Sequence, residues 1–146
     1  MALLRRRLPV IGLIVVCLGA AYAVAQSAPR PSVIPAAIGD LATAVQAEVR
    51  GADGQVVLAG QFGEASLDGN ETERSARLTA TAGSQATGTA EIELVTRGNT
   101  IERELELEAD GLAANTSYTF VIDQQTAATF TTDARGSVEI ELKDVR

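Results

Sequence analysis

Carboxylates are the side chains in this sequence with the clearest potential for chemistry. Glutamate alternates with apolar residues through two neighbouring stretches and again near the C-terminus: Glu91, Glu93, Glu102, Glu104, Glu106, Glu108, Glu139 and Glu141. Because successive side chains of a β-strand point to opposite faces, these glutamates should share one solvated face of a sheet. Antiparallel neighbours then place glutamate opposite glutamate, which costs about 0.2–1 kcal/mol per pair. The face could bind cations or a basic protein, or it could keep the domain soluble and discourage edge pairing.

A second group of oxygen ligands lies between Asp68 and Glu73. Asp68, Asn70 and Glu73 could suit calcium, which takes carboxylate and amide oxygens. The order differs from that of an EF-hand loop, because Thr72 occupies the fifth place and Glu73 takes the sixth, where that loop requires glycine. The stretch is therefore either a calcium site or an ordinary acidic loop, and we assign no metal ligand.

Residue types for other kinds of catalysis are scarce. The sequence has no histidine, its one cysteine is Cys17, and Lys143 is its one lysine. Ser-His-Asp and Cys-His nucleophiles and zinc or copper centres are therefore excluded. A hydrolase that uses two carboxyl groups is a remote alternative, because no pair stands out among the 19 acidic residues. We assign no catalytic and no cofactor-binding residue, and we expect neither an enzyme nor a cofactor.

The first 25 residues have the organisation of an export signal. Three arginines, Arg5 to Arg7, precede an apolar run over 8–18, and Ala23-Val24-Ala25 is a small-residue cleavage pattern. We predict a signal peptide over 1–25 and an exported protein, periplasmic, in the cell envelope or secreted. Two alternatives stay open. The segment could be retained as a membrane anchor, or Cys17 could be lipidated, although Val16 is unfavourable before it.

Charge limits the partners of the remaining chain. Without Arg5, Arg6 and Arg7 the net charge of −7 becomes −10. Such a surface repels nucleic acid and anionic lipid, so we expect neither nucleic acid nor membrane contact by the folded domain. A basic or cell-surface protein is the expected partner, and the oligomeric state is left open.

The chain that follows the leader divides into a tether and one domain. Gln26 to Pro35 holds three prolines and predicts an extended tether over 26–40, followed by a β-domain over 41–146. Asp40 to Gln46 could form a short helix or lead into the first strand. Period-two alternation or β-rich composition predicts eight strands, and the polar stretch Gly63 to Glu73 predicts a long loop. The predicted strands lie around 45–50, 55–62, 74–81, 87–94, 101–108, 118–123, 127–132 and 138–142.

Turn residues separate these strands. Asp133 to Gly136 predicts a type I turn that brings Phe130 opposite Val138, and Ala52 to Gly54 and Arg97 to Asn99 predict two further reversals. Short, closely spaced strands favour an antiparallel sandwich or barrel. The predicted core comprises Val49, Val56, Leu58, Phe62, Leu78, Ile92, Leu94, Ile101, Leu105, Leu107, Leu112, Tyr118, Phe120, Ile122, Phe130, Val138, Ile140 and Leu142.

The stretch from Leu112 to Val121 resembles the tyrosine corner of fibronectin type III and other immunoglobulin-like sandwiches. The resemblance implies that Leu112 is buried and that the Tyr118 hydroxyl bonds to backbone a few residues upstream. It implies an all-β, immunoglobulin-like sandwich of about seven to eight antiparallel strands behind the signal helix. The sequence departs from many such domains in having no tryptophan. The fold hosts unrelated functions and implies no activity.

These observations predict a non-enzymatic exported binding or structural module of the cell envelope or extracellular space. A calcium-dependent adhesion domain, using the stretch from Asp68 to Glu73 or the glutamate face, is the alternative. An acid-only hydrolase is the remote one.

Overall fold

The computed structural model describes residues 33–81 and 83–146. The predicted signal peptide, the alternative fates at Cys17 and the tether before Val33 lie outside the described residues. Within that part of the chain the all-β prediction is confirmed: nine antiparallel strands are joined by short connections, with one 3₁₀ turn at Leu41–Thr43. The strands are β1 (Gln46–Gly51), β2 (Val56–Gln61), β3 (Ser66–Asp68), β4 (Glu71–Ala80), β5 (Thr87–Arg97), β6 (Thr100–Asp110), β7 (Ser117–Ile122), β8 (Gln125–Thr131) and β9 (Val138–Val145).

The prediction of seven to eight strands with a long loop over Gly63 to Glu73 is wrong in that region. β3 pairs with the start of β4 through a two-residue turn, in which Gly69 has a positive φ of 61°. All three residues of β3 are exposed, so the segment shows no alternation between buried and exposed positions. A hairpin that covers no core leaves no periodic signal in the sequence.

The strands form one continuous sheet rather than two separately hydrogen-bonded ones. Their order is β8-β7-β1-β2-β4-β5-β6-β9, with β3 paired to β4 beside this path. On a flat sheet β8 and β9 would lie about 34 Å apart at about 4.8 Å per strand. The chain from Thr131 to Val138 reaches at most about 24 Å at about 3.4 Å per residue. The sheet therefore curls over until its edges approach, and its closure is nearly complete rather than clearly that of an immunoglobulin sandwich.

The predicted turns form, although one of them joins different strands from those expected. Hairpins at Ala52 to Gly54 and at Arg97 to Asn99 join β1 to β2 and β5 to β6. The amide of Gly136 donates to the carbonyl of Asp133 at 3.1 Å, as the predicted turn requires. However, β8 pairs with β7 and β9 pairs with β6, so Phe130 does not lie opposite Val138 in a hairpin. The turn belongs to a connection that crosses between distant strands.

The tyrosine corner has the predicted hydrogen bond. The Tyr118 hydroxyl accepts from the amide of Ala113 at 3.1 Å, and the Tyr118 ring stacks on Phe130 with centroids 5.9 Å apart. Leu112 is buried, and its amide donates to the carbonyl of Gly136 at 3.1 Å. The two crossing connections, over 111–116 and 132–137, are thereby joined at one end of the folded sheet.

The core contains nearly all of the residues predicted for it. The exceptions are Val56, which is half-buried, and Ile101, which is 42% exposed. The prediction missed four apolar residues upstream of β1, all buried: Ile34, Ile38, Leu41 and Ala44. They lie partly within the segment expected to be a tether. The segment over 33–45, which we call the N-terminal plug, covers the end of the sheet opposite the tyrosine corner.

The plug reconciles the two possibilities left open for Asp40 to Gln46. Asp40 caps the 3₁₀ turn by accepting from the amide of Ala42 at 2.9 Å, and β1 begins at Gln46. Both a helical turn and a strand entry are therefore present, one after the other.

Candidate functional site

The outward side chains of β4, β5, β6 and β9 form one continuous acidic surface. On these strands Leu78, Ile92, Leu105 and Ile140 point into the core, so alternate residues point to solvent. We call the outward surface the acidic face. Its ten glutamates are Glu71, Glu73, Glu91, Glu93, Glu102, Glu104, Glu106, Glu108, Glu139 and Glu141.

The strand register places glutamates opposite one another, as predicted for the β5–β6 hairpin, and does the same where β4 and β9 join it. Five pairs are directly opposed across neighbouring strands: Glu73–Glu93, Glu93–Glu104, Glu91–Glu106, Glu106–Glu141 and Glu108–Glu139. Like charges at such positions destabilise a sheet, and salt screens only part of the repulsion. The face therefore has a cost to the fold that packing in the core must offset.

Two cationic side chains neutralise part of the acidic face. Lys143 contacts Glu104 at 2.9 Å and also pairs with Glu141, while Arg97 contacts Glu102 at 3.1 Å. Hydrogen bonding by Glu141 and Glu104 raises the pKa of Lys143 above its usual range, and hydrogen bonding by Lys143 lowers the pKa of Glu141. The neutralisation of negative charge is therefore concentrated at one margin of the acidic face.

Two other carboxyl groups of the acidic face, those of Glu71 on β4 and Glu106 on β6, have raised pKa values. The negative charge of Glu93 is the main cause of a raised pKa at Glu71, with Glu73 adding to it. At Glu106 desolvation is the first cause of a raised pKa, followed by hydrogen bonding and repulsion from Glu104. Within residues 33–81 and 83–146, neither Glu71 nor Glu106 has a cationic group within ion-pair distance.

Several acidic residues elsewhere have structural roles. Asp123 accepts from the amides of Val45 and Gln46 at 3.0 and 2.8 Å and so holds the start of β1. Asp133 accepts from the amides of Arg135 and Ser137, which lowers its pKa. Across the described part of the chain, the glutamates in the middle of the acidic face make no comparable bonds to the backbone, so the fold does not explain their presence.

The predicted calcium stretch is arranged differently from the expectation. Asn70 is bonded to the last part of β5, because its Nδ2 donates to the carbonyl of Thr96 at 2.8 Å. Asp68 lies opposite Glu71, and Glu73 instead joins the acidic face. The structure thus does not gather Asp68, Asn70 and Glu73 around one point.

Two other triads bring carboxylate oxygens together. One oxygen from each of Glu71, Glu73 and Glu93 lies within 4.8 Å of the others, and Glu104, Glu106 and Glu141 form a second such group. Neither triad is contiguous in sequence, so only the strand register reveals them. Either triad could bind a divalent cation or a basic side chain.

Arg103 is the one charged residue on the inward side of β6. It lies among leucines and is only 6% exposed. Its guanidinium makes a two-pronged contact with Asp144 at 2.6 and 2.5 Å, and its Nη1 donates to the carbonyl of Gly39 at 2.8 Å. The pair binds β6 and β9 to the N-terminal plug.

Arg74 was missed by sequence analysis. It lies on the inward side of β4, donates to the carbonyls of Ala42, Ala44 and Gly63, and stands 5.7 Å from the centre of the Phe62 ring. An inward arginine at a strand end was the available signal, as it was at Arg103. Both arginines are positioning residues for the plug rather than parts of the acidic face.

Comparison with known proteins adds no family. No protein-family model, curated protein or solved structure is found to be similar to this chain. Within the described residues, no helix has the length and apolar character needed to cross a lipid bilayer. The acidic face is therefore interpreted from its own geometry.

Proposed function

We propose that this protein is a non-enzymatic binding module whose acidic face docks a positively charged partner, a basic or cell-surface protein. The observation that carries the proposal is the set of five directly opposed glutamate pairs on an exposed face. A basic partner would replace repulsion between carboxylates with attraction. Binding to the folded state alone would also stabilise the fold by mass action.

The geometry suits an extended basic surface rather than a single small cation. The acidic face spans four adjacent strands, and each strand has at least two carboxylates at alternate positions. Concentrated charge of one sign steers an oppositely charged partner and speeds its association, an effect that salt weakens. We therefore expect affinity to be strongly dependent on ionic strength.

The open geometry of the acidic face is unsuited to catalysis. Glu106 and Glu141 lie opposite one another, and their pKa values are displaced in opposite directions, as in an acid–base pair. Both side chains are exposed on an open surface. Catalytic carboxyl groups work in sites that exclude water and orient a substrate, and an open sheet face offers neither property.

Export and an immunoglobulin-like identity belong to the same proposal. The arginines, apolar run and Ala23-Val24-Ala25 pattern support export. The hydrogen bond from the Ala113 amide to the Tyr118 hydroxyl supports a relation to immunoglobulin-like folds. The continuous strand order does not add to that support.

A charge-neutralising variant tests the docking face. The combined substitution Glu91→Gln, Glu93→Gln and Glu106→Gln removes three charges from the middle of the acidic face. Titration calorimetry with a synthetic peptide of alternating lysine and threonine should show binding about tenfold weaker than with the unaltered protein, equivalent to about 1.4 kcal/mol. Raising the salt concentration should narrow the difference.

The matched control changes net charge equally on another strand. Gln125, Thr126 and Thr129 are exposed on β8, and replacing all three with lysine also shifts the net charge by three units. This control should retain most of the affinity for the peptide. An equal loss in both variants would mean that overall charge, rather than the acidic face, attracts the peptide, and would reject the proposal.

Calcium-dependent binding is the second candidate, favoured by the oxygens of Glu71, Glu73 and Glu93 lying within 4.8 Å of one another. Thermal melts in calcium, in magnesium and in chelator test it. Calcium alone should raise Tm by several degrees, and Glu93→Gln should abolish the rise while Glu108→Gln should not. The same rise from any salt would indicate charge screening and would remove this candidate.

A further inference from the structure

Three Asp-Gly sequences lie where strands of this fold are connected. They are Asp53–Gly54 between β1 and β2, Asp68–Gly69 between β3 and β4, and Asp110–Gly111 at the end of β6. Aspartate followed by glycine is prone to spontaneous ring closure, because glycine has no side chain to hinder its amide nitrogen from reaching the aspartate carboxyl group. The sequence does not distinguish the three sites, but their surroundings in the fold differ.

At Asp53 both of the reacting groups are held by hydrogen bonds. The Asp53 carboxylate accepts from the amide of Gln55 at 3.0 Å, and the amide of Gly54 donates to the carbonyl of Gly51 at 2.9 Å. Ring closure at this site therefore requires the turn to open first, which makes the reaction depend on local unfolding.

At Asp110 the carboxylate is bonded and the glycine is closely packed. The Asp110 carboxylate accepts from the Ser137 hydroxyl at 2.5 Å. A Cβ atom on Gly111 would lie 3.2 Å from the Cα atom of Ala86, so the backbone of another segment packs against this glycine. Ring closure here breaks a hydrogen bond in a crowded part of the fold.

The surroundings of Asp68 and Gly69 impose neither constraint. Among the residues that the structure describes, no hydrogen bond or ion pair is made by the Asp68 carboxylate, and no hydrogen bond is made by the Gly69 amide. A Cβ atom on Gly69 would meet nothing within 4 Å. All three residues of β3 are exposed, so no packing in the core resists movement of this turn. The two reacting groups can therefore approach one another in the folded protein.

We propose that Asp68–Gly69 is a modification site, at which the folded protein spontaneously forms an isoaspartyl linkage. The Gly69 nitrogen attacks the side-chain carboxyl carbon of Asp68, and the carboxyl hydroxyl leaves with the amide proton as water. Water then opens the resulting cyclic imide at one of its two carbonyl carbons. One opening restores Asp68, and the other routes the main chain through its side chain. This inference goes beyond the proposed function and does not depend on it.

The isoaspartyl linkage should loosen the β3–β4 hairpin. It adds one carbon to the main chain between Asp68 and Gly69 and leaves the original α-carboxylate as a side group. Asp68 lies opposite Glu71, directly beside the two-residue turn. Turn type and loop length set the register of a hairpin, so a longer main chain at this point is incompatible with the register of β3 on β4.

Peptide mapping of the aged full chain tests the proposal. The protein is kept folded at near-neutral pH, digested with trypsin and fragmented by electron transfer, which distinguishes isoaspartate from aspartate. One tryptic peptide, over 51–74, contains both Asp53 and Asp68 and so compares the two sites within one molecule. Isoaspartate should accumulate at Asp68 at least about tenfold faster than at Asp53 or Asp110.

Two variants and the unfolded chain are the controls. Asp68→Glu keeps the charge and should abolish the modification, because closure would need a larger ring. Ser137→Ala frees the Asp110 carboxylate and should speed the reaction at Asp110 without changing the rate at Asp68. In guanidinium chloride, where the fold constrains no site, the three rates should converge.

Two results would overturn the proposal. One is an equal rate at all three sites in the folded protein. The other is an Asp68 that stays unmodified in the folded protein over a period in which the unfolded chain reacts.

Discussion

At the residue scale, charged groups that point inward form the most specific contacts in this fold. Arg103 follows the apolar register of β6, and Asp144 follows that of β9, so the two meet in the ladder as direct neighbours. The guanidinium fork matches the two carboxylate oxygens, and this contact lowers the pKa of Asp144. The sequence of β6 alone does not reveal that β9 will pair with it, so the Arg103–Asp144 contact could not be predicted from the sequence.

Arg103→Met should leave the Asp144 carboxylate partly buried beside only the more distant Arg146. Removing one member of a buried pair typically costs about 3–5 kcal/mol. We expect a loss near the lower end of that range in urea unfolding, because Asp144 keeps some exposure to solvent. The double variant Arg103→Met with Asp144→Leu should recover much of the lost free energy of unfolding.

Arg97→Met is the control, because Arg97 and Glu102 form an exposed pair beside the turn that joins β5 to β6. Pairs of that kind contribute about 0–1 kcal/mol. An equal loss in the free energy of unfolding for the Arg97 and Arg103 variants would show that burial does not make the Arg103–Asp144 pair more important to stability.

At the element scale, the connections of this fold are as specific as its strands. The carbonyl of Leu112 lies so close to Gly136 that only a residue without a side chain fits there, because a Cβ atom on Gly136 would approach the Leu112 oxygen to 2.0 Å. Gly136 also has a positive φ of 81°. The crossing of the two connections thus depends on one glycine for both conformation and space.

Gly136→Ala should therefore destabilise the fold by more than the backbone conformation alone explains. Gly54 has nearly the same φ, 79°, but open space around its Cβ position, so Gly54→Ala isolates the conformational cost of about 1–2 kcal/mol. We expect a clearly larger fall in Tm for Gly136→Ala. Similar Tm values for the two variants would show that the connections can separate without cost.

Sequence patterns predicted the positions of the strands better than they predicted which strands pair with each other. Alternation in β5, β6 and β9 follows from one buried and one wet face, and it located these strands directly. β3 buries nothing, and the N-terminal plug has no period, so both escaped detection. The opposition of glutamates within the β5–β6 hairpin followed from the adjacency of its two strands in sequence. The triad of Glu71, Glu73 and Glu93 required the β4–β5 register, which depends on long-range packing.

At the scale of the whole molecule, acidic side chains should make the stability of the fold depend on pH in two opposing ways. Glu71 and Glu106 have raised pKa values, so their contribution is fully present below the ordinary value of 4.5 and is lost as pH rises through their folded values. Asp133 and Asp144 have lowered pKa values, so their contribution is present above 3.8 and is lost as pH falls through their folded values.

Tm should therefore rise as pH is lowered from 7 toward 4.5 and fall once pH drops below 3.8. Thermal melts followed by circular dichroism across this range provide the measurement. Substituting both Glu71 and Glu106 with glutamine should flatten the rise and leave the acid-side fall in place. A Tm that declines steadily from pH 7 to pH 4.5 would contradict this account.

The N-terminal plug begins with a parallel bridge between Val33 and Lys143, and this bridge has a consequence for the order of folding. Its two residues are separated by 110 positions. Val33 is therefore synthesised long before its partner Lys143. Closing so long a loop is slow, and folds rich in such contacts form slowly. Until β9 emerges, the outer edge of β6 lacks its neighbouring strand and Val33 lacks its bridge partner. The sheet therefore cannot close beside the plug until β9 has been synthesised.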